Sequence, residues 1–210
     1  MPIVTRLSFV RHGRVRNPQA VFYGRLPRFG LSERGLAEAR AAATLLGGEP
    51  LAAVFSSPLL RARQTAREIA RARADSVGPV RLSRLLLEVK TPWEGMPSDA
   101  VRARADDVYT GAGPGYEQPF DVLARMLRFV QRVRRRFPGK HTAAVTHGDP
   151  IAFLALWAGG REVIPANKTR LAPLGIAGGY PATGSVTTLI FCSLDDPGER
   201  PVLEHRRPGG

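Results

Sequence analysis

The chain has 210 residues, a length that predicts one sizeable domain over residues 1–210 rather than two independent cores. Apolar and charged residues make up 43% and 23% of the chain, as in ordinary globular proteins, which argues against long disordered segments. The net charge of +13 leaves nucleic acid, an anionic membrane surface and a small phosphorylated substrate open as partners.

The first residues and the cysteine content predict a cytoplasmic location. The first ten residues lack the basic start and apolar segment of a signal peptide, and the longest apolar run, residues 151–158, is too short to cross a bilayer. The single cysteine, Cys192, lies within the apolar run TTLIFCSL and is expected to be a core residue in a reducing compartment. No membrane partner is expected.

Strand-like and helix-like segments alternate through the first half of the chain. Apolar and β-branched runs predict strands, whereas apolar residues at helical spacing predict helices. Ser32 is a predicted N-cap, and Ser57 followed by Pro58 predicts the start of the second helix. In chain order the predicted elements are a strand over residues 3–10, a helix over 33–46, a strand over 51–55, a helix over 58–73 and a strand over 80–89.

The second half begins with an irregular segment rich in proline and glycine, residues 90–119, which we expect to be a lid or substrate loop around a short helix. The remaining predicted elements are an amphipathic helix over 120–137, a strand over 142–146, a helix over 149–157, a strand over 184–194 and a strand over 201–207 that pairs with it. This alternation predicts an α/β fold, a three-layer sandwich whose mainly parallel sheet has helices on both faces.

Candidate functional side chains follow four of the predicted strands. Arg11 and His12 come after the first strand, Arg61 lies in the first turn after the second, Glu88 ends the third, and His147 follows the fourth. Ligands of such sheets bind beyond the carboxyl ends of the strands, so these side chains are expected to meet at one edge. Arginine forks and helix N-termini at that edge predict a pocket for a phosphate dianion.

Such a pocket predicts a particular chemistry. Surrounding cations neutralise the charge of a phosphate group, so a neutral imidazole can attack its phosphorus atom. A carboxylic acid nearby can protonate the leaving oxygen. This scheme requires no metal ion and no organic cofactor.

Five motifs occur in order along the chain: FVRHGRVRN, YGRLPRFGLSERGLAEA, SSPLLRARQTA, EVKTPWEG and VTHGDPI. Each resembles a block of the histidine phosphatase superfamily, the phosphoglycerate mutase-like proteins with an Arg-His-Gly signature. The resemblance runs over most of the chain, and it rests on all five blocks in the right order rather than on any one of them. It implies a phosphoglycerate mutase-like fold and phosphoryl transfer through a phosphohistidine.

The resemblance also implies roles for individual residues. His12 matches the nucleophile, and Arg11, Arg61 and His147 match the residues that hold the phosphoryl oxygens. Glu88 matches the proton donor. Glu94 is a competing candidate, because Glu88 stands one residue nearer to the Trp-Glu-Gly motif than in many members. Further candidates for binding the phosphate or the substrate are Asn17, Gly24, Arg25 and Gly148.

The leading prediction is a metal-independent phosphomonoesterase that acts on a small phosphorylated metabolite. One alternative is a cofactor-dependent phosphoglycerate mutase, which is disfavoured because LLLEVKTPWEG replaces the Leu-Asn-Glu-Arg-x-Tyr-Gly block of those enzymes. The other is a noncatalytic module that binds phosphate or nucleic acid. Nucleic acid is not expected as a partner, since the arginines at 132 and 134–136 are predicted to lie on a solvated helix face. The glycine-rich loop over 161–180 is compatible with a homodimer contact.

Overall fold

The computed structural model describes residues 4–47, 50–73, 77–194, 196 and 198–209, and within them six strands form one sheet. The strands are β1 (Thr5–Arg11), β2 (Leu51–Ser56), β3 (Arg81–Leu82), β4 (His141–Thr146), β5 (Val186–Phe191) and β6 (Val202–Arg206). Their spatial order is β3-β2-β4-β1-β5-β6. The first four run parallel to one another, whereas β5 is antiparallel to β1 and β6 is antiparallel to β5.

Helices cover both faces of the sheet. They are α1 (Glu33–Leu45), α2 (Leu60–Arg71), α3 (Ser98–Arg102), α4 (Pro119–Arg136) and α5 (Gly148–Ala158), with short 3₁₀ turns at Arg84–Leu86, Pro165–Asn167 and Ala172–Leu174. Neighbouring residues of β1 point to opposite faces, so Phe9 packs with α4 and α5 while Val10 packs with α1 and α2. The predicted α/β sandwich is confirmed, with two antiparallel pairings at one side of the sheet.

The predicted start of α1 is also confirmed. Ser32 has an extended backbone, and its hydroxyl accepts a hydrogen bond from the Gly35 N–H. The predicted end at residue 46 is close to the observed one, since the helix ends at Leu45 with Leu46 as its C-cap. The second helix starts later than expected, at Leu60, because the Ser57 hydroxyl pairs with His147 at 2.8 Å and Ser57 lies three residues before the helix.

The strand predicted over residues 80–89 is wrong for most of its length. Only Arg81–Leu82 pairs with β2, and the chain then turns into the 3₁₀ helix. The turn is stable because side chains donate hydrogen bonds to backbone carbonyls that do not pair within the sheet. Arg125 donates to Leu85 O at 2.7 Å and Thr146 donates to Leu86 O at 2.8 Å. Turning in this way brings Leu86 into the core.

Two further expectations are corrected by burial. Cys192 is exposed rather than part of the core, because it follows the last residue of β5. Arg134, expected on a solvated face, is 7% exposed. Its guanidinium lies 4.0 Å from the Phe191 ring centroid and binds Glu199 at 2.8 Å, so it ties α4 to the β5–β6 connection.

The segment over residues 90–119 contains α3 and packs against the sheet layer. Tyr109 is 1% exposed within the core, and Phe22 N–H donates to Met96 O at 2.7 Å. The Glu117 carboxylate accepts from Lys90 N–H at 2.9 Å, which joins the two ends of the segment. Among the described residues, no helix combines the length and the apolarity that a membrane span requires.

Candidate active site

The carboxyl ends of β1, β2 and β4 bring three buried side chains together. His12 follows β1, Arg61 lies in the first turn of α2 after β2, and His147 precedes α5 as its N-cap residue. His12 N–H donates to Thr146 O at 3.1 Å, which fixes the loop after β1 beside the end of β4. All three side chains are at most 1% exposed, so their polar atoms depend on protein groups rather than on bulk water for hydrogen bonds.

His12 presents one nitrogen as a free base. Its Nε2 accepts a hydrogen bond from Arg61 Nε at 3.2 Å, so the ring proton lies on Nδ1, which donates to Gly13 O at 2.8 Å. Burial lowers the pKa of His12 well below its usual value, and the charges of Arg61 and Arg11 lower it further, against a smaller opposing effect of the Gly13 hydrogen bond. The imidazole is therefore neutral at neutral pH.

His147 has a complementary tautomer. Its Nδ1 accepts from Arg61 Nη2 at 3.3 Å, which leaves Nε2–H to donate to Ser57 Oγ at 2.8 Å. The two imidazole rings lie 5.1 Å apart between centroids. Burial lowers the pKa of His147 well below its usual value, with a further contribution from the charge of Arg61.

The arginines hold free donors toward the same region. Arg61 Nη2 donates to Gly24 O at 2.6 Å and its guanidinium lies 4.7 Å from the Tyr23 ring centroid. Arg11 Nη1 donates to Pro181 O at 2.6 Å. Within the described part of the chain, Arg61 Nη1 and Arg11 Nε are buried without a hydrogen-bond partner. Buried cationic donors of this kind suit an oxyanion, because only a strong acceptor offsets their desolvation.

Glu88 is the carboxyl group nearest to these bases. Its Oε2 lies 3.9 Å from His147 Nδ1, and its Oε1 accepts from Val89 N–H at 3.0 Å. Burial raises the pKa of Glu88 to about 6, and the charge of Asp149 raises it too; the Val89 hydrogen bond and the two arginines, Arg61 and Arg11, oppose this rise. A carboxyl group with this pKa can both give and take a proton near neutral pH.

The competing candidate Glu94 has a different environment. Its Oε1 accepts from the backbone N–H of Arg25 at 2.6 Å, and its side chain packs against Gly24. The backbone of Gly24 has a φ of 35°, and a Cβ at this position would meet the Glu94 carboxyl group at 2.6 Å. Glu94 therefore braces the loop that carries Gly24 O toward Arg61.

Arg25, predicted to bind substrate, binds other groups of the protein in the structure. Its Nε donates to Glu88 O at 2.7 Å and its Nη2 binds Glu117 at 2.7 Å. Arg125 of α4 makes parallel contacts, to Glu88 O at 3.2 Å and to Glu117 at 2.7 Å. Two guanidinium groups and one carboxylate thus fix the backbone of Glu88.

Asn17 and Gly148, both predicted to bind the phosphate or the substrate, have different surroundings in the structure. Asn17 lines the cavity, and its amide is paired with the backbone of Val21, donating at 2.8 Å and accepting at 3.3 Å. Gly148 is the first residue of α5, and the Tyr180 hydroxyl fills the space that a Cβ would take. Glycine is therefore required at this helix N-terminus.

The sequence analysis missed one buried acid, Asp149, which it read only as the beginning of a helix. Its carboxylate accepts hydrogen bonds from Tyr109 at 2.5 Å, Tyr180 at 2.6 Å and Lys168 at 2.9 Å. Asp149 lies in the first turn of a helix whose other residues are mostly apolar and buried. An acid in so apolar a segment signals a paired buried charge, although the partners cannot be read from the sequence.

Five of the candidate residues line one cavity of about 500 Å³: Arg11, His12, Asn17, Gly24 and Glu88. Arg61 and His147 do not line it, and Arg61 adjoins it through its contacts with His12 and Gly24 O. Its polar lining includes Arg11, His12, Glu88 and Asp149, together with Arg102 and the buried Lys168. The apolar part of the lining is formed by Val21, Phe22, Val89, Val101 and Val108. The cavity therefore combines a cationic, base-containing end with an apolar wall to which the loop after β1 and the segment over residues 90–119 both contribute.

Comparisons with known proteins agree with this arrangement. The family model of the histidine phosphatase superfamily (branch 1) matches residues 7–177. An uncharacterized protein of Mycobacterium tuberculosis is 35% identical over 201 residues, which cover 91% of this chain and 92% of the relative. Phosphoserine phosphatase 1 of Hydrogenobacter thermophilus is 30% identical over 157 residues, covering 70% of this chain and 73% of that protein.

Solved structures give the same result. A mycobacterial glucosyl-3-phosphoglycerate phosphatase superimposes with a TM-score of 0.74 at 25% identity, covering 97% of this chain and 98% of that one. YhfR of Bacillus stearothermophilus superimposes with a TM-score of 0.72 at 26% identity, covering 88% and 90%. By its sequence match and its fold, the chain belongs to the histidine phosphatase superfamily.

Proposed function

We propose that this protein is a metal-independent phosphomonoesterase that works through a phosphohistidine intermediate. The observation that carries the proposal is the environment of His12, whose unprotonated Nε2 accepts from Arg61, while Arg61 and Arg11 each have a buried N–H group without a hydrogen-bond partner among the described residues. A neutral nucleophile facing fixed positive charge is the arrangement that attack on a phosphate dianion requires. Glu88, with its raised pKa, supplies the proton at the same end of the cavity.

In the first step, Nε2 of His12 forms a bond to phosphorus while the bond from phosphorus to the leaving oxygen breaks. The phosphoryl oxygens accept hydrogen bonds from Arg11 and Arg61, and the Arg61 N–H that binds His12 turns to the phosphate. His147 donates as well in its other tautomer, with the proton on Nδ1 and the Ser57 hydroxyl donating to Nε2. Glu88, in its carboxylic acid form, gives its proton to the leaving oxygen, so the product departs as a neutral alcohol.

In the second step, the Glu88 carboxylate takes a proton from water as the water oxygen attacks phosphorus. The bond between phosphorus and Nε2 breaks, inorganic phosphate leaves, and His12 returns to the neutral form. Glu88 is protonated again for the next cycle. The Nδ1–H bond to Gly13 O holds the imidazole in one orientation throughout.

We propose a small phosphorylated metabolite as the substrate. A cavity of about 500 Å³ suits a small organic phosphate. Relatives and structural neighbours include phosphatases whose names specify phosphoserine and glucosyl-3-phosphoglycerate. Structures of the latter enzyme contain inorganic phosphate or VO₃, which supports an oxyanion site in this fold.

The test uses purified protein, para-nitrophenyl phosphate and an excess of EDTA. We expect hydrolysis that survives the chelator, and an acid-labile phosphate on the protein when turnover is quenched. His12→Ala should abolish both, because it removes the attacking nitrogen. His205→Ala is the matched control: this histidine lies on β6, where it pairs with Thr187.

Each other result contradicts a defined part of the proposal. Hydrolysis by His12→Ala at the wild-type level would eliminate His12 as nucleophile. Loss of wild-type activity in EDTA, with recovery on adding a divalent cation, would contradict metal independence. A requirement for 2,3-bisphosphoglycerate, with transfer of the phosphoryl group to a second acceptor, would identify a mutase instead.

A further inference from the structure

A buried polar cluster forms part of the cavity wall, and the steps proposed above make no use of it. Its centre is the Asp149 carboxylate, whose Oδ1 accepts from Tyr180 Oη at 2.6 Å. Oδ2 accepts from Tyr109 Oη at 2.5 Å and from Lys168 Nζ at 2.9 Å. All three partners donate, so they require an ionised carboxylate with no proton of its own.

The cluster joins segments that are far apart in the sequence. Tyr109 comes from the segment over residues 90–119, whereas Lys168 and Tyr180 come from the chain between α5 and β5. Lys168 Nζ also donates to Asp106 O at 2.7 Å, which makes a second connection between the two segments. Asp149 is therefore the point at which both walls of the cavity are attached to α5.

Two features connect this cluster with the reacting groups. The Tyr180 ring, anchored through its hydroxyl, has its centroid 5.1 Å from the Arg11 guanidinium carbon. Asp149 and Glu88 both line the cavity, so a fixed negative charge shares a small volume with the proposed proton donor. Like charges in one site favour the protonated form of the weaker acid.

We propose that Asp149 is a positioning residue for this reaction: it holds Tyr180 against Arg11, and its fixed charge keeps Glu88 protonated for delivery to the leaving oxygen. The inference rests on the proposed phosphatase function. Asp149 itself is no proton donor, because three donors occupy its oxygens and keep it ionised.

The electrostatics around Glu88 agree with this role. The charge of Asp149 is the largest cause of the raised pKa of Glu88 after burial itself. Burial alone would raise the pKa of Asp149, but the charge of Lys168 and the hydrogen bonds from Tyr109, Tyr180 and Lys168 together lower it below its usual value. Other groups that face Glu88 are the cations Arg11, Arg25, Arg61 and Arg125, the imidazole of His147, and the phenols Tyr109 and Tyr180.

The test measures the titration of Glu88 directly. Protein carrying [5-¹³C]glutamate is titrated by NMR, and the Glu88 resonance is identified by its absence in Glu88→Gln. In the wild type the pKa should be about 6. In Asp149→Asn it should fall by about one pH unit, because a like charge is removed. In Lys168→Met it should rise, because the Asp149 charge loses its compensating cation.

A pKa of Glu88 that falls in Asp149→Asn and rises in Lys168→Met would support the role, since loosened packing alone would not move the pKa in opposite directions. An unchanged pKa of Glu88 in Asp149→Asn, or displacements of the same sign, would overturn it. If Asp149→Asn does not fold, Lys168→Met carries the test, and a fall or no change in the pKa of Glu88 contradicts the proposal.

A separate variant tests the other part of the proposal, that Asp149 holds Tyr180 against Arg11. Tyr180→Phe removes the hydroxyl that Asp149 holds but keeps the charge, so the titration of Glu88 should stay close to that of the wild type. Binding of inorganic phosphate, followed by calorimetry, should weaken severalfold because the ring over Arg11 loses its anchor. Unaltered phosphate binding would overturn this part.

Activity distinguishes failure of the inference from failure of the proposed function. If the wild type hydrolyses para-nitrophenyl phosphate, the alkaline limb of its kcat profile should move to lower pH in Asp149→Asn, in step with the NMR titration. If the wild type shows no turnover and no phosphoprotein, the proposed function fails, and the titration still reports whether Asp149 controls the protonation of Glu88.

Discussion

At the scale of single residues, Arg61 has the most connections in the site. One buried guanidinium donates to His12 Nε2, to His147 Nδ1 and to Gly24 O. A planar fork can reach three acceptors in fixed directions, whereas a lysine ammonium acts as a point charge on a flexible stem. The geometry of Arg61, and not only its charge, therefore organises the two histidines.

Arg61→Lys tests this. We expect kcat/KM for para-nitrophenyl phosphate to fall by about 10²-fold, because the lysine retains charge but loses the directed donors. Steady-state kinetics give the value, and circular dichroism checks the fold. Arg67→Lys is the matched control, since Arg67 lies on the same helix with its side chain exposed. Equal activity of Arg61→Lys and the wild type would contradict the role of the fork.

The raised pKa of Glu88, which suits proton transfer, is expected to lower the stability of the protein at higher pH. Its pKa is about 6 in the folded protein against a usual value of 4.5, so the folded state binds the proton more tightly than the unfolded chain. Stability is then highest below the unfolded value and falls as pH rises through 4.5 to 6, by about 2 kcal/mol in total.

Glu88→Gln should remove this loss. At about pH 8 the variant should be more stable than the wild type by up to about 2 kcal/mol, and at about pH 4 the two should be alike. Urea denaturation at both pH values measures the difference. A variant that is less stable than the wild type at the higher pH would show that the Glu88 carboxylate is not strained by its burial.

A residue of the site could be predicted from the sequence where a short local motif identifies it. His12 and His147 lie directly after parallel strands, Arg61 lies in the first turn of the helix that follows another, and short motifs locate all three. The contacts of Arg25 depend on the fold, which brings Glu117 and Arg125 near to it. The sequence therefore suggested substrate binding, whereas the structure shows contacts to Glu88 O and Glu117. Their roles in catalysis remain predictions.

At the scale of elements, the loop after β1 and the first turn of α1 touch backbone to backbone. A Cβ on Gly13 would collide with the backbone of Gly35, and a Cβ on Gly35 would collide with the backbone of Arg14. Ser32 N–H also donates to Arg14 O at 2.9 Å. The helix thus supports the loop that carries His12.

Gly35→Ala should therefore destabilise the protein, although alanine in a helix is usually better than glycine by about 1 kcal/mol. The added methyl group meets backbone atoms, which cannot rotate away, so we expect lower stability together with lower activity as the loop moves. Thermal unfolding and the phosphatase assay measure both.

Arg34→Ala provides the comparison, because Arg34 lies in the same helical turn with a side chain that is 72% exposed. It should leave activity close to that of the wild type. Gly35→Ala with normal stability would mean that the loop adjusts without cost.

Element boundaries were predicted best where the pattern is repeated and worst at the edge of the sheet. The amphipathic spacing of α4 predicted its course over 120–137, and the helix spans Pro119–Arg136. The apolar run over 80–89 suggested a strand, but β3 is an edge strand with one neighbour, and Arg125 and Thr146 bind the carbonyls that leave it. Those contacts are tertiary and leave no local pattern.

At the scale of the whole molecule, the two buried histidines set the response to acid. The pKa values of His12 and His147 lie well below 6.5, so the folded protein keeps both rings neutral while the unfolded chain protonates them. Their contribution to stability is present above the unfolded value and is lost as pH falls, by up to about 1.4 kcal/mol per pH unit for each ring.

We expect the free energy of unfolding, measured in urea, to decrease between about pH 7 and pH 5. Glu88 offsets part of this decrease, because it contributes in the opposite direction as pH falls from 6 to 4.5. Glu88→Gln should therefore lose stability more steeply on acidification than the wild type. A wild-type stability that is constant or rising over this interval would contradict neutral burial of the two rings.

The direction of β5 decides what the one thiol of the chain can be used for. β1 runs from Thr5 to the site at Arg11, and β5 runs the opposite way, with Phe191 paired to Thr5. Cys192 follows Phe191 and is exposed, so it lies at the end of the sheet away from the cavity. Since the chain has no second cysteine, a maleimide dye or a surface linker would attach to the native protein at one known point, with the mouth of the cavity left open to substrate.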